Sequence, residues 1–188
     1  MLNNKKVNIS MITNLRGVIG VNGGMSWPPS RKEFSTFLDE VAGHVILQGV
    51  KTNKQHGGWP NCRNVVLSDT FKPKQNYEVV KTLGEAADMA ENELKVFGGN
   101  SVYLPALEYV DNLNINVRLE NDVTGDVLMP WLNEEMVNAD VDYLISTLFT
   151  YFKNNNMHQG TTWKCATKKE ILILEDGCRL AQVYIEKQ

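Results

Sequence analysis

The chain of 188 residues is poor in the residues that staple small proteins or bind metals. It has three cysteines, Cys62, Cys165 and Cys178, and three histidines, His44, His56 and His158. An odd cysteine count without metal-ligand spacing argues against a disulfide framework and a zinc site, and free thiols in a reducing cytoplasm are the expectation. The histidines are scattered, and nothing in the sequence pairs one with a nucleophile. No apolar run approaches the roughly 18 residues of a membrane span. The start, Met1-Leu2-Asn3-Asn4-Lys5-Lys6, lacks a signal-peptide core. A formal net charge of −3 gives no basic footprint for nucleic acid or an acidic membrane. What remains is a chain that is 43% hydrophobic, enough for a real core. Its length suits one domain, or one domain with an insertion.

Against these absences stands one run, Trp27-Pro28-Pro29-Ser30-Arg31-Lys32-Glu33-Phe34-Ser35-Thr36-Phe37. Each proline fixes φ and biases the residue before it away from helix, so the approach is extended. After Ser30 the pattern turns helical, because Phe34, Phe37, Leu38 and Val41 recur at helical steps and share one face. Glu33 sits one residue before that face. Burial there penalises its charge, and the helix N-terminus partly offsets the penalty. On the residues alone, Glu33 is either a first-turn carboxylate complementing the dipole or an acid facing a ligand.

The run, with Gly17-Val18-Ile19-Gly20-Val21-Asn22-Gly23-Gly24-Met25-Ser26-Trp27 before it, resembles dihydrofolate reductase. That family has a mobile active-site loop closing on a tryptophan, and its vertebrate-type members follow Trp-Pro-Pro with Glu-Phe and a second Phe at this spacing. The resemblance continues in pieces from Val7 to Pro130 and again from Trp163. It implies that Glu33 is the active-site acid and that Trp27 orders the water involved. It also implies a pterin pocket lined by Ile12, Glu33, Phe34, Phe37, Phe97 and Val117.

In order, Lys6–Thr13 reads as an apolar strand and residues 14–26 as a glycine-rich loop. His44–Gly49 is an apolar run ending in glycine, as a buried parallel strand meeting a ligand-bearing edge does. Residues 53–63 read as a loop and Asn64–Ser68 as a strand. Thr82-Leu83-Gly84-Glu85 is a capping box that opens a helix. Leu94–Phe97 is a short strand, and Gly98-Gly99 then opens a helix through Leu107, a pattern that lets backbone N–H groups approach a pyrophosphate. Leu113–Leu119 is the next strand. The resemblance implies NADPH as cofactor, with NADH as the alternative, and no metal. The implied cofactor residues are Ile19, Gly20, Gly49, Lys51, Thr52, Leu67, Ser68, Lys81, Gly98, Gly99, Asn100, Ser101, Val102 and Tyr103. By the same resemblance, Gly125-Asp126 and Met129-Pro130 form the turn that supports the active-site loop.

The chain also departs from the family. Val50 stands where a basic residue often holds the adenosine 2′-phosphate, and Asp69 brings a negative charge to that phosphate. Cys62 takes the place of an arginine that holds the substrate's α-carboxylate, with Arg63 one residue away. Val117 replaces a threonine that bonds the acid and the pterin, and Phe97 replaces an aliphatic residue.

Residues 131–162 leave the family pattern. Asn138 is the expected N-cap of an inserted helix, with Asp140 and Asp142 complementing its dipole. Val141, Leu144, Ile145, Leu148 and Phe152 form one apolar stripe. The expectation is a helix packed on its own domain in a monomer, with a dimer contact as the alternative. Strands are expected around Glu170–Leu174 and Leu180–Ile185, joined by a hairpin turn at Asp176-Gly177.

The expected fold is one α/β domain over residues 1–188, interrupted at about 131–162. It has a mainly parallel central sheet, flanking helices and an antiparallel C-terminal edge. The implied activity is NADPH-dependent reduction of 7,8-dihydrofolate to tetrahydrofolate in the cytoplasm, serving one-carbon and thymidylate metabolism. One alternative is a same-fold reductase of another heterocycle, such as the aminouracil of riboflavin synthesis. Another is a low-activity cofactor-binding or structural relative.

Overall fold

The computed structural model describes residues 1–72, 77–120 and 123–188, and of residues 167–172 the backbone alone. The elements run β1 (Lys6–Asn14), β2 (Val18–Gly20), α1 (Arg31–Val41), β3 (Val45–Gly49), α2 (Val50–His56), β4 (Arg63–Leu67), β5 (Glu78–Val80) and α3 (Leu83–Met89). They continue β6 (Glu93–Val96), α4 (Asn100–Leu107), β7 (Asn112–Arg118), β8 (Val127–Leu128), α5 (Val141–Asn154), β9 (Trp163–Ile173) and β10 (Arg179–Lys187).

Among the described residues, eight strands form one sheet in the order β5-β4-β3-β6-β1-β7-β10-β9, and β2 pairs with β8 separately. The pairs β1–β6, β3–β6, β3–β4 and β4–β5 are parallel, whereas β9 and β10 are antiparallel. This is the expected mainly parallel sheet with an antiparallel C-terminal edge. No helix among the described residues is long and apolar enough to cross a membrane.

The chain forms two compact units, Met1–Ser10 with Glu33–Leu113 and Met11–Lys32 with Asn114–Gln188. In the first unit every residue of β3 is buried, and Ile46, Leu47, Val65, Val66, Leu94 and Val96 make its centre. Burial on both sheet faces is why β3 is a continuous apolar run rather than an alternating one. In the second unit Ile115, Val117, Met129, Leu144, Leu148, Leu180, Val183 and Ile185 are buried. The five stripe residues of α5 are all buried within the chain. Behind them, the Trp131 indole donates to Thr147 Oγ1 at 3.1 Å.

Several boundaries differ from the sequence reading. Residues 53–63 are not all loop, because α2 continues to His56 and stops at Gly57, whose φ of 70° ends the helix. The glycine-rich loop contains β2, and β5 is an unforeseen three-residue strand beside β4. The inserted helix is capped by Asp140 rather than Asn138. Asp140 is extended and accepts from Tyr143 N at 2.7 Å, while Asn138 lies at φ 54°, in the left-handed region. The strand expected at Glu170–Leu174 is longer, beginning at Trp163 and ending at Ile173. The Thr82 cap forms as expected, accepting from Glu85 N, whereas the Glu85 carboxylate accepts from Lys81 N.

Candidate active site

In the first unit, α1 carries Glu33, half-buried in its first turn, and two aromatic residues of a wall. Phe37 stacks on Phe97 with ring centroids 4.1 Å apart, and Trp59 meets both edge-on, at 4.8 Å and 5.4 Å. Phe34 also approaches Trp59, at 5.7 Å, yet remains 46% exposed. An aromatic left this open beside a buried aromatic cluster suits a flat apolar ligand. Phe97 lies just past β6, so its ring reaches α1 from the end of a central strand. The sequence reading missed two members, Trp59 and His56, whose rings stack at 5.5 Å. Gly57-Gly58-Trp59-Pro60 was the available signal, a tryptophan between turn residues. Burial pushes the His56 pKa down, which favours the neutral ring.

Cys62 belongs to the same wall. It packs on the Phe37, Val41, Ile46 and Trp59 cluster, and its sulfur lies 3.2 Å from the Val41 and Pro60 carbonyl oxygens, which share its one S–H donor. Arg63 begins β4 and is occupied elsewhere. Its guanidinium forms a fork with Glu78 of β5, at 2.6 Å and 2.9 Å, and donates to Met89 O at 3.3 Å.

Also in the first unit, the end of β3 meets the start of α4. Gly49 N donates to Gly98 O at 3.1 Å, and Gly98 and Gly99 take φ values of 109° and 80° that L side chains rarely adopt. A Cβ on Gly98 would lie 2.5 Å from Thr52 Cγ2, and one on Gly49 would lie 3.2 Å from Ser101 Oγ and Val102 Cγ2. These contacts gather Gly49, Thr52, Gly98, Gly99, Ser101 and Val102 around the N-terminus of α4, which Gly99 caps without a side chain. Glycine backbone packed this closely at a helix N-terminus, with no side chains of its own over its N–H groups, suits a phosphate group. Asn100 opens the helix itself. Tyr103 is fully buried and donates to Ser10 O at 2.8 Å, so it fastens α4 to β1, and burial drives its phenol pKa well up.

The remaining cofactor candidates of this unit lie at other strand ends. Ser68 Oγ accepts from Thr70 N and Phe71 N, at 3.2 Å and 3.0 Å, which closes the turn after β4. Leu67 and Lys81 border a groove of about 350 Å³ with Leu83, Pro105 and Tyr109. Lys51 and Asp69 are exposed.

In the second unit, β2 holds the loop against β8. Ile19 is half-buried between buried Val18 and Gly20. Asn22 N donates to Asp126 Oδ1 at 2.7 Å, and Met129 N to Gly17 O at 2.8 Å. Gly125 has no room for a side chain, since its Cβ would lie 2.5 Å from Gly20 O. Asn14, which the sequence reading passed over, accepts from Arg16 N and Val18 N and so fixes the base of the loop. Trp27 at the loop's end is 5% exposed, and among the described residues its buried indole N–H has no hydrogen-bond partner. A buried donor left open is a place for an ordered water. Arg118, fully buried, sets its guanidinium carbon 5.4 Å from the Trp27 ring centre and pairs with Asp176. Val117 is buried in β7, and Ile12 packs against Leu174, Cys178 and Leu180.

The sequence profile of the family described as Dihydrofolate reductase matches residues 6–141. A dihydrofolate reductase of Staphylococcus haemolyticus is 26% identical over 132 residues, covering 68% of this chain and 78% of that protein. One from Bos taurus is 29% identical over 147 residues, covering 66% of this chain and 79% of that protein. Among solved structures, an Enterococcus faecalis dihydrofolate reductase complexed with NADP(H) and RAB-propyl superposes with a TM-score of 0.71. It is 17% identical, and the match covers 98% of both chains, which speaks to the fold. With the profile spanning most of the sequence and the same fold over nearly all of it, this chain belongs to the dihydrofolate reductase family.

Proposed function

We propose that this protein uses NADPH to reduce 7,8-dihydrofolate to tetrahydrofolate, in the cytoplasm and as a monomeric single domain interrupted at about 131–162. The observation that carries the reading is Glu33, a half-buried carboxylate in the first turn of α1, on the helix that also brings Phe34 and Phe37 to the Phe97 wall. In this reading the carboxylate accepts hydrogen bonds from the pterin's amino and ring N–H groups and favours a proton on N5. Phe34 and Phe37 flank the ring system. Trp27 orders water through its open indole N–H. The cradle at Gly49, Thr52, Gly98, Gly99 and Ser101 fits a pyrophosphate, with Ser68, Leu67 and Lys81 toward the adenosine end. When bound, NADPH supplies the hydride, and the chain's task is alignment and exclusion of water. Val50 in place of a basic residue, with the added acid Asp69, makes NADH the alternative donor.

The substrate's glutamate tail is the weak point of the family resemblance. With Arg63 forked onto Glu78 and Cys62 turned into the aromatic cluster, neither residue offers the tail a cation. Arg63→Ala should therefore change the KM for dihydrofolate by no more than about twofold, since exposed ion pairs contribute little. A rise of about tenfold, roughly the loss of one good contact, would put the guanidinium on the substrate instead. The same observation favours the second reading, a reductase of a heterocycle without that tail, such as an aminouracil. Steady-state NADPH oxidation with dihydrofolate and with an aminouracil, side by side, separates the two. Turnover of the aminouracil alone would overturn the folate reading.

A further inference from the structure

The approach to Glu33 is tied down from an unexpected direction. In the second unit, the turn between β9 and β10 reaches both ends of the segment Trp27–Lys32. Glu175 of that turn accepts from the Ser30 hydroxyl through one carboxylate oxygen, and from the Lys32 backbone N–H at 3.2 Å through the other. Lys32 Nζ donates to Ile173 O at 2.7 Å. The next turn residue, Asp176, pairs with Arg118, whose guanidinium faces the Trp27 ring, and also accepts from Cys178 N at 3.0 Å.

Two features make this more than incidental contact. Lys32 lies in the first turn of α1, whose N–H groups have no partner within the helix. Glu175 supplies a partner from another element, and its charge complements the helix N-terminus. Second, the prolines at 28 and 29 carry no backbone N–H, so this stretch has few donors with which to fix itself. Its anchoring falls to Ser30, Lys32 and the Trp27 ring. All three are held, directly or through Arg118, by consecutive residues of one turn. The Ser30 hydroxyl bond holds the Glu175 carboxyl below the usual carboxylate range, so the acceptor is ionised at neutral pH.

We propose that Glu175 is a positioning residue for the reductase site, because its carboxylate sets where α1 begins, and the residue after Lys32 is the acid Glu33. The proposal rests on the reading of Glu33 and Trp27 given above. Glu175 touches no substrate in this account and acts only through Ser30 and Lys32.

The test compares Glu175→Ala and Glu175→Gln with the parent protein by steady-state kinetics and by backbone hydrogen exchange over residues 27–32. Glu175 is exposed, so both variants should fold. Glu175→Ala should lower kcat with dihydrofolate by about tenfold through a misplaced acid. The KM for NADPH should stay at the parent value, and amide exchange over 27–32 should rise. Glu175→Gln keeps one carbonyl oxygen to accept from Lys32 N, while its amide can donate to the Ser30 hydroxyl oxygen, and it should restore most of the kcat and the protection. Unchanged kcat or unchanged exchange in Glu175→Ala would overturn the proposal, as would failure of Glu175→Gln to rescue. If the parent protein itself does not turn over dihydrofolate, the functional reading fails, and exchange over 27–32 still decides whether Glu175 anchors the segment.

Discussion

Glu33→Ala should lower turnover of dihydrofolate by about 10²–10⁴-fold, the range expected when a positioned proton-transfer group is removed. NADPH affinity should stay close to that of the parent protein. The two effects separate because the groups lie on different elements. The carboxylate sits in the first turn of α1, whereas the glycine cradle is built from the ends of β3 and β6 and the starts of α2 and α4. Val117 offers no hydroxyl, so nothing at that position of β7 takes over the work of the acid. Glu33→Gln keeps the shape and one acceptor but not the charge, and should fall near the alanine variant at neutral pH if ionisation is what matters. Single-turnover rates and NADPH titration on the same preparations check this. Parallel loss of turnover and cofactor affinity would mean that Glu33 supports the fold rather than the chemistry.

Gly98→Ala should do the reverse, weakening NADPH binding by about a hundredfold, or about 2.7 kcal/mol. A Cβ at this position would stand 2.5 Å from Thr52 Cγ2 and 2.8 Å from Thr52 Oγ1. Thr52 is β-branched and cannot swing clear without a costly rotamer. The φ of 109° is itself unfavourable for alanine, so folding stability should also fall by about 1–3 kcal/mol. The chain must open somewhere, and the nearest release is the bond from Gly49 N to Gly98 O. Opening it spreads the backbone around the phosphate position. Thr52→Ala in the same protein removes Cγ2 and Oγ1, and should recover part of the stability while leaving the φ strain. Non-additivity between the two substitutions measures the contact. A Gly98→Ala protein with parental melting temperature and NADPH affinity would contradict the cradle.

The sequence made the sheet legible where burial leaves a continuous apolar run, as in Val45–Leu47, and where a local cap is complete, as at Thr82 and Glu85. It failed where the deciding partner is distant. The polar residues Lys51, Asn53, Lys54 and Gln55 give α2 no apolar periodicity, and only the stop at Gly57 marks its end. Strand β5 is three residues long and is defined by β4 beside it. Asn138 and Asp140 are both good N-caps, and only the backbone geometry selects Asp140.

The candidate site shows the same division. Of the residues named from the family resemblance, Gly49, Gly98 and Gly99 gather in the first unit as the cradle and Phe34, Phe37 and Phe97 as the wall, while Gly20 and Trp27 lie in the second. Trp59 joins the wall from a loop that spacing could not orient. The pairing of Arg118 with Asp176 spans 58 positions, and that of Ser30 with Glu175 spans 145. No periodicity could have joined either pair. A buried arginine in a strand is an unlabelled residue until its counter-ion is known.

The most direct measurement is transfer of label from NADPH carrying deuterium at the reactive nicotinamide carbon, with the purified protein and 7,8-dihydrofolate. One deuterium at C6 of tetrahydrofolate is expected for each NADPH oxidised, with loss of that transfer in Glu33→Ala. NADPH oxidation without deuterium in the folate product, or no oxidation with dihydrofolate at all, would contradict the folate reading.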